Sequence, residues 1–326
     1  MTSARFTFRD DTLAYSRAGT GPPILFLHNG GSAKEIWTRQ VEVLRQRYEV
    51  ICLDHLGYGE SDMPERGYTI DQHVERLCAF IEHLGHERIS VVGNCMGSAM
   101  ALLLADRRPE LFDSLVLINP LSKNTARRGI LGWLLPLVSR FPTLSMAVAR
   151  RIRIPQALTN IVITAQFGPR NWLRGIRAPR PGTAQAGKGW SVRGRLAPLA
   201  EMFCDQTSLG AVDEIRPGPD FPPFAVIWGD SNLGLSPRAG RALNRTLQPD
   251  REEFLTRCGH LPMMESPRKS PPSSRSSSPA RPLGDQAISP RLAGLHKDAR
   301  GLIGFDEPQR MHSAIIARDI APCHGR

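Results

Sequence analysis

The chain has 326 residues, 41% of them hydrophobic, and a formal net charge of +11. That is material for a large buried core and argues against a disulfide-stapled miniprotein or a disordered polymer. No apolar run approaches the ~18 residues of a membrane span, and Met1–Asp10 alternates from the start without a signal peptide's apolar centre, so a cytoplasmic protein is expected.

The charge is unevenly spread: about −4 over residues 1–121, about +10 over 122–220, near zero over 221–267 and about +5 beyond. A uniformly basic chain would suggest nucleic acid, but here the amino-terminal half of the body is acidic and the basic excess belongs to one internal stretch and one tail. No nucleic-acid partner is therefore expected, and the lack of a span-length apolar run leaves no membrane partner expected either. The six cysteines (Cys52, Cys78, Cys95, Cys204, Cys258, Cys323) make no CxxC pair, so neither a zinc site nor a disulfide framework is indicated. No metal or organic cofactor is expected.

In chain order, residues 4–17 alternate on either side of Asp10-Asp11, as in an opening hairpin. Ile24–Leu27 is a buried strand that runs into the glycine-bearing loop His28-Asn29-Gly30-Gly31-Ser32. A helical stretch spans about Ala33 to Arg47. Val50–Leu53 is the next strand, ending at Asp54-His55-Leu56-Gly57-Tyr58-Gly59-Glu60-Ser61, and a helix of period 3.6 covers roughly Ile70 to Leu84. Ile89–Val92 is a strand and Met96 to about Ala105 an apolar helix, with Gly93-Asn94-Cys95-Met96-Gly97 between them. Such a corner forces Cys95 into a strained conformation, with small neighbours letting strand and helix approach. At a helix N-terminus the dipole favours a thiolate exposed to solvent.

Ser114–Asn119 is another strand. Alternation then stops, and residues 122–220 read as an inserted, mainly helical cap. It contains the apolar stretch around Trp133, Leu134, Leu135 and Phe141, which suits an apolar wall or core. Strand character resumes at Phe224–Trp228, followed by Gly229-Asp230-Ser231-Asn232, a helix from about Pro237 to Leu247, and a last strand Glu253–Leu255 ending at Gly259-His260. Strands alternating with helices give a mostly parallel α/β sheet, with active groups gathered at the strands' carboxyl ends.

Five motifs in this order carry a family resemblance: His28-Asn29-Gly30-Gly31, Asp54 to Ser61, Gly93-Asn94-Cys95-Met96-Gly97, Trp228-Gly229-Asp230 and Gly259-His260-Leu261-Pro262-Met263-Met264-Glu265-Ser266-Pro267. Residues 3 to about 267 resemble the α/β-hydrolases with a single cap inserted after the sixth strand. The resemblance implies a core of residues 1–121 and 221–267, a cap at 122–220, and catalysis with Cys95 as nucleophile and His260 as general base. It implies an oxyanion hole of backbone N–H groups, one from Met96 and one from Asn29 or Gly30. His28 would anchor its loop, and Asp54, Gly57, Gly59 and Ser61 would shape a turn.

The family's triad acid falls at Asn232. Asp230 could serve only if the loop turns differently, and the alternative site after the sixth strand holds Asn119. A thiolate–imidazolium pair would let a neutral Asn orient the ring, so Asn232 and Asp230 both stand as orienters. Dehalogenases and epoxide hydrolases of this fold use Asp at the elbow, which Cys95 excludes. Cysteine there suits an ester, lactone or thioester. The alternatives are acyl transfer on the same scaffold and a non-catalytic ligand-binding relative. The partner expected is a small acyl substrate, with Arg127, Arg128, Arg150, Arg151, Arg153, Arg170, Arg174, Arg177 and Arg180 offering a field for an anionic one; the oligomeric state stays open.

After Pro267 the family's final helix is replaced by a Pro/Ser/Arg-rich run, read as a largely disordered basic tail, with short helical segments at Pro290–Ile303 or Glu307–Ile316. A reading-frame change after Pro267 would produce such a shift.

Overall fold

The computed structural model describes residues 1–169 and 191–265. Arg170, Arg174, Arg177, Arg180, Cys323, Ser266, Pro267 and the tail's helical segments lie outside them.

Eight strands form one sheet: β1 (Thr2–Phe8), β2 (Asp11–Ala18), β3 (Pro23–Leu27), β4 (Glu49–Leu53), β5 (Ile89–Asn94), β6 (Phe112–Ile118), β7 (Phe224–Gly229) and β8 (Arg251–Leu255). Their order is β1-β2-β4-β3-β5-β6-β7-β8. β1 and β2 form the expected hairpin, β2 pairs antiparallel with β4, and every pairing from β4 to β8 is parallel. This is the mostly parallel α/β architecture that the resemblance implies.

Alternation along the strands divides the core. Ile24 and Phe26 of β3 face a cluster with Trp37, Val41 and Leu44, whereas Leu25 and Leu27 face one with Leu77, Phe80 and Met100. The first cluster lies under a 3₁₀ turn (Lys34–Trp37) and α1 (Thr38–Leu44), and the second under α2 (Ile70–Leu84) and α3 (Met96–Arg107). The bounds of α2 follow from local chemistry. Thr69 and Gln72 make a reciprocal capping box, and Gly85 stops the helix at φ +73. The expected helix over Ala33 to Arg47 is shorter and begins as a 3₁₀ turn, because Asp54 claims both the backbone N–H and the ammonium of Lys34 (2.8 and 2.6 Å).

Between β6 and β7 the described chain is helical: α4 (Lys123–Arg127), α5 (Leu135–Arg140), α6 (Pro142–Arg151), α7 (Gln156–Thr164), α8 (Ala197–Cys204) and α9 (Gln206–Glu214). Side chains from α8 and α9 tie this segment to the loop ahead of α2 and to the first turn of α2. Glu201 accepts from Gly67 N and Tyr68 N (3.2 and 3.3 Å), and Ser208 donates to Asp71 (2.9 Å). α10 (Pro237–Leu247) follows β7, and Gly240 lets it lie directly on the Trp228 indole.

Strand order reverses at β3, whose neighbours are β4 on one side and β5 on the other. In an open parallel sheet a crevice forms beyond the carboxyl ends at such a point. The loops leaving β3 and β5 carry Asn29–Gly30 and Cys95–Met96.

Candidate active site

Cys95 lies at the corner between β5 and α3 with φ 53 and ψ −105. A non-glycine residue held there is strained, and such strain persists only where the surroundings enforce it. Two contacts enforce it here. A Cβ on Gly93 would meet the Gly97 carbonyl carbon at 2.5 Å, and one on Gly97 would meet Leu27 O at 2.5 Å. Cys95 N donates to Ile118 O (2.9 Å), and Ser98 Oγ donates to Gly93 O (2.8 Å). Strand, turn and helix are therefore locked with the thiol at the carboxyl edge.

The thiol is not presented to solvent as the sequence suggested; Cys95 is only 7% exposed. α8 roofs the loops around it. A Cβ on Gly30 would meet Leu199 at 3.1 Å and Met202 at 3.7 Å, and one on Gly57 would meet Pro198 at 2.5 Å. Burial pushes the Cys95 thiol up to about 12, opposed only in part by the Met96 backbone N–H at its sulfur. The expected dipole-stabilised thiolate loses to desolvation.

His260 ends the segment after β8. Burial pushes its imidazole down to about 4. Burial thus favours a neutral thiol and a neutral imidazole over the charge-separated pair expected from sequence. The main chain of His260 is clamped from several sides. Its N donates to Gln166 O (2.6 Å), and its carbonyl accepts from Asn119 Nδ2 (3.2 Å) and Asn94 Nδ2 (3.4 Å). Glu265, fully buried, accepts from Gly259 N (2.6 Å) and Gly168 N (3.1 Å). Asn119, at φ 45, also accepts from Gly229 N (3.0 Å), so it joins the end of β7 to the histidine. Asn94 immediately precedes Cys95, so its bond to the His260 carbonyl ties the two segments together.

Of the two candidate orienters, Asn232 meets the ring. Its Nδ2 and Oδ1 lie 3.1 and 3.3 Å from His260 Nδ1, and Oδ1 also accepts from Leu235 N (3.1 Å). Asp230 is exposed and turned elsewhere. Its carboxylate accepts from Arg257 N (2.6 Å) and Ser231 Oγ (2.8 Å), because the loop after β7 closes against the end of β8. The amide differs from a carboxylate in a way that matters. A carboxylate only accepts and so enforces Nδ1–H, leaving Nε2 free as a base; an amide can pair with either tautomer.

The loop after β3 is held from behind. His28, fully buried, donates from Nδ1 to Asn29 O (2.8 Å) and accepts at Nε2 from His55 N (3.1 Å). Burial pushes it down to about 3, so it binds as a neutral ring. Ser32 Oγ donates to Asn29 Oδ1 (2.7 Å) and Asn29 Nδ2 to Gly30 O (3.0 Å). Asp54 accepts from Lys34 and from Glu60 N (3.0 Å), Ser61 Oγ donates to Asp54 O (2.7 Å), and Gly59 at φ +53 fits over the Asp54 carboxylate. These groups build the turn.

Sequence reasoning missed three features. Tyr58, 3% exposed, has a hydroxyl with no hydrogen-bond partner. That hydroxyl would lie 3.6 Å from a Cβ on Gly30, on the loop after β3. Arg195 reaches from the helical segment to Gly57 O (3.0 Å) and Gly59 O (3.1 Å). Third, Asn94 and Asn119 act as a pair on His260. The spacing of a single sequence carries no signal for any of these. Of the arginines proposed as an anion field, Arg127, Arg128, Arg151 and Arg153 are exposed, and Arg150 donates to the carbonyl of Glu65.

A family model described as alpha/beta hydrolase fold matches residues 22–267. An uncharacterized protein of Mycobacterium tuberculosis is 25% identical over 273 residues, which span 78% of this chain and 75% of the relative. Over 109 residues, 32% of this chain and 38% of the relative, it is 35% identical to the 2-hydroxy-6-oxo-6-(2'-aminophenyl)hexa-2,4-dienoic acid hydrolase of Metapseudomonas resinovorans. The enol-lactonase of Burkholderia xenovorans shares the fold with a TM-score of 0.61 at 21% identity, over 79% of this chain and 91% of that one.

Proposed function

Because the chain belongs to the α/β-hydrolase fold family, we propose that it cleaves an ester, lactone or thioester through an acyl-Cys95 intermediate. The observation that carries this reading is the strained Cys95 at φ 53, locked between Gly93 and Gly97 with the Met96 N–H at its sulfur. A buried structural cysteine needs no such conformation.

The steps follow from the neutral resting pair. Sγ attacks the carbonyl carbon as its proton passes to His260 Nε2, so the imidazolium forms only as the C–S bond does. The resulting oxyanion is held by the N–H of Met96 and that of Asn29 or Gly30. Collapse breaks the bond to the alkoxide or thiolate leaving group, which takes the proton from Nε2. Water then attacks the acyl-cysteine, gives its proton to Nε2, and collapse releases the acid and restores the thiol. Asn232 serves this cycle when its Oδ1 accepts from Nδ1–H.

Acyl transfer has one observation in its favour. Cys95 and His260 are 7% and 8% exposed, and a site this closed shields an acyl-enzyme from water until an alcohol or thiol enters. Product analysis with and without such an acceptor separates the two. The proposal itself is tested by p-nitrophenyl ester turnover in wild type, Cys95→Ala and His260→Ala. Turnover that persists in Cys95→Ala contradicts it.

A further inference from the structure

From Ser122 to Pro169 the sequence contains one lysine, six arginines and no aspartate or glutamate. This acid-free stretch also carries most of the large apolar side chains that the fold leaves exposed. Leu137, Phe141, Leu144, Val148 and Ile152 are 56, 49, 62, 44 and 47% exposed. Leu144, Val148 and Ile152 recur every four residues along α6 and its C-terminal cap, with Leu137 on α5 and Phe141 between the two helices exposed as well. The other side is occupied, since α8 packs against both helices and Leu135 and Ala149 are buried. Trp133, 72% exposed, and Ile130 and Leu131 extend the apolar surface at one end. The sequence reading of Trp133 and Phe141 as wall or core is thus corrected. Of the four residues singled out, Leu135 is buried and Leu134 half-buried.

Cations flank these apolar residues in the sequence. Arg127, Arg128, Arg140, Arg151 and Arg153 are exposed, and among the described residues none is paired with a carboxylate. The Arg140 guanidinium lies over the Phe141 ring at 5.6 Å. Two copies of this face brought together would oppose cation to cation with no anion between them, which disfavours a symmetric dimer. An anionic lipid surface meets both features. Apolar and aromatic side chains enter the headgroup–acyl boundary while arginines meet lipid phosphates.

We propose that the face formed by α5 and α6 docks the protein on anionic membrane surfaces. This departs from the expectation of no membrane contact, which rested on apolar run length. Peripheral docking needs only an exposed stripe, and no described helix is long and apolar enough to cross a bilayer. The inference does not depend on the chemistry at Cys95.

The test is flotation of the full chain with vesicles of phosphatidylglycerol and phosphatidylcholine, against phosphatidylcholine alone. Partition onto the mixed vesicles should exceed that onto neutral ones at least tenfold and fall in high salt. Arg151→Ser with Arg153→Ser should weaken it roughly twentyfold, at about fivefold per removed cation. Leu144→Glu and Val148→Glu, both at exposed sites, should abolish it with melting and p-nitrophenyl ester turnover unchanged. Three results overturn the proposal. One is folded wild type that floats with neither vesicle, or equally with both. Another is undiminished flotation of Leu144→Glu, which would assign binding to the basic chain after residue 267. The third is a dimer that forms without lipid, dissociates on the same substitution and does not float.

Discussion

At the carboxyl edge of the sheet the main chain of His260 is held by Gln166, Asn119 and Asn94, its ring by Asn232, and the backbone before it by Glu265. Along α5 and α6, large apolar side chains stand in solvent with no described group over them. The first region is over-determined: buried polar groups must be paired, so their positions follow from hydrogen-bond accounting. The second is under-determined by the described fold, and its composition makes sense against a surface that the described residues do not supply. A residue at the sheet edge is therefore read from what it bonds to, and one on the helical face from what it lacks. Tyr58 is the exception at the edge, because its orphaned hydroxyl is directed at the site.

The largest expected effect separates the amide at Asn232 from a carboxylate. Cys95→Ser alone should be almost inactive, since an alkoxide nucleophile needs a base held in one tautomer. Adding Asn232→Asp should recover activity by as much as about 10⁴-fold. No recovery in a folded double variant would break the link drawn between Cys95 and Asn232. Gly97→Ala should come next. Its Cβ would fall 2.5 Å from Leu27 O, where backbone cannot yield, and stability should drop by roughly 3 kcal/mol or more in denaturant melts. An unchanged midpoint would mean that the elbow is not locked.

Tyr58→Phe should lower kcat/KM about tenfold with an unaltered melt, the worth of one hydrogen bond to substrate. No kinetic change would make the hydroxyl a packing feature. A separate effect is on acid stability. His260 and His28 are pushed down to about 4 and about 3 from 6.5, and His55 and His73 are lowered well below it, all by burial. The unfolded chain takes up these protons near 6.5 and the folded chain does not. Their contribution is therefore complete above that value and is lost progressively as pH falls toward about 4. Melting temperature should decline steadily over this window, and a flat profile would contradict neutral burial of these rings.

Much of the fold was legible because its signals are local. α2 was marked by its period of 3.6 from about Ile70 to Leu84, the strands by short apolar runs, and the elbow by Gly93 and Gly97 around Cys95. What could not be read depends on how segments meet. Asn232 and Asp230 are two residues apart, and only the closure of the β7 loop on Arg257 turns one toward His260 and the other away. The neutral state favoured at Cys95 and His260 comes from burial, which depends on how distant segments close over the sheet edge. Trp133 and Phe141 look like core in a sequence because hydrophobicity alone does not say which side of a helix is occupied.

The central claim is most directly tested by intact-protein mass after brief exposure to a p-nitrophenyl acyl ester. The account predicts a single acyl adduct on wild type that forms much more slowly in His260→Ala and is absent from Cys95→Ala. An adduct of equal yield on Cys95→Ala, or none on folded wild type that still turns the ester over, would contradict it.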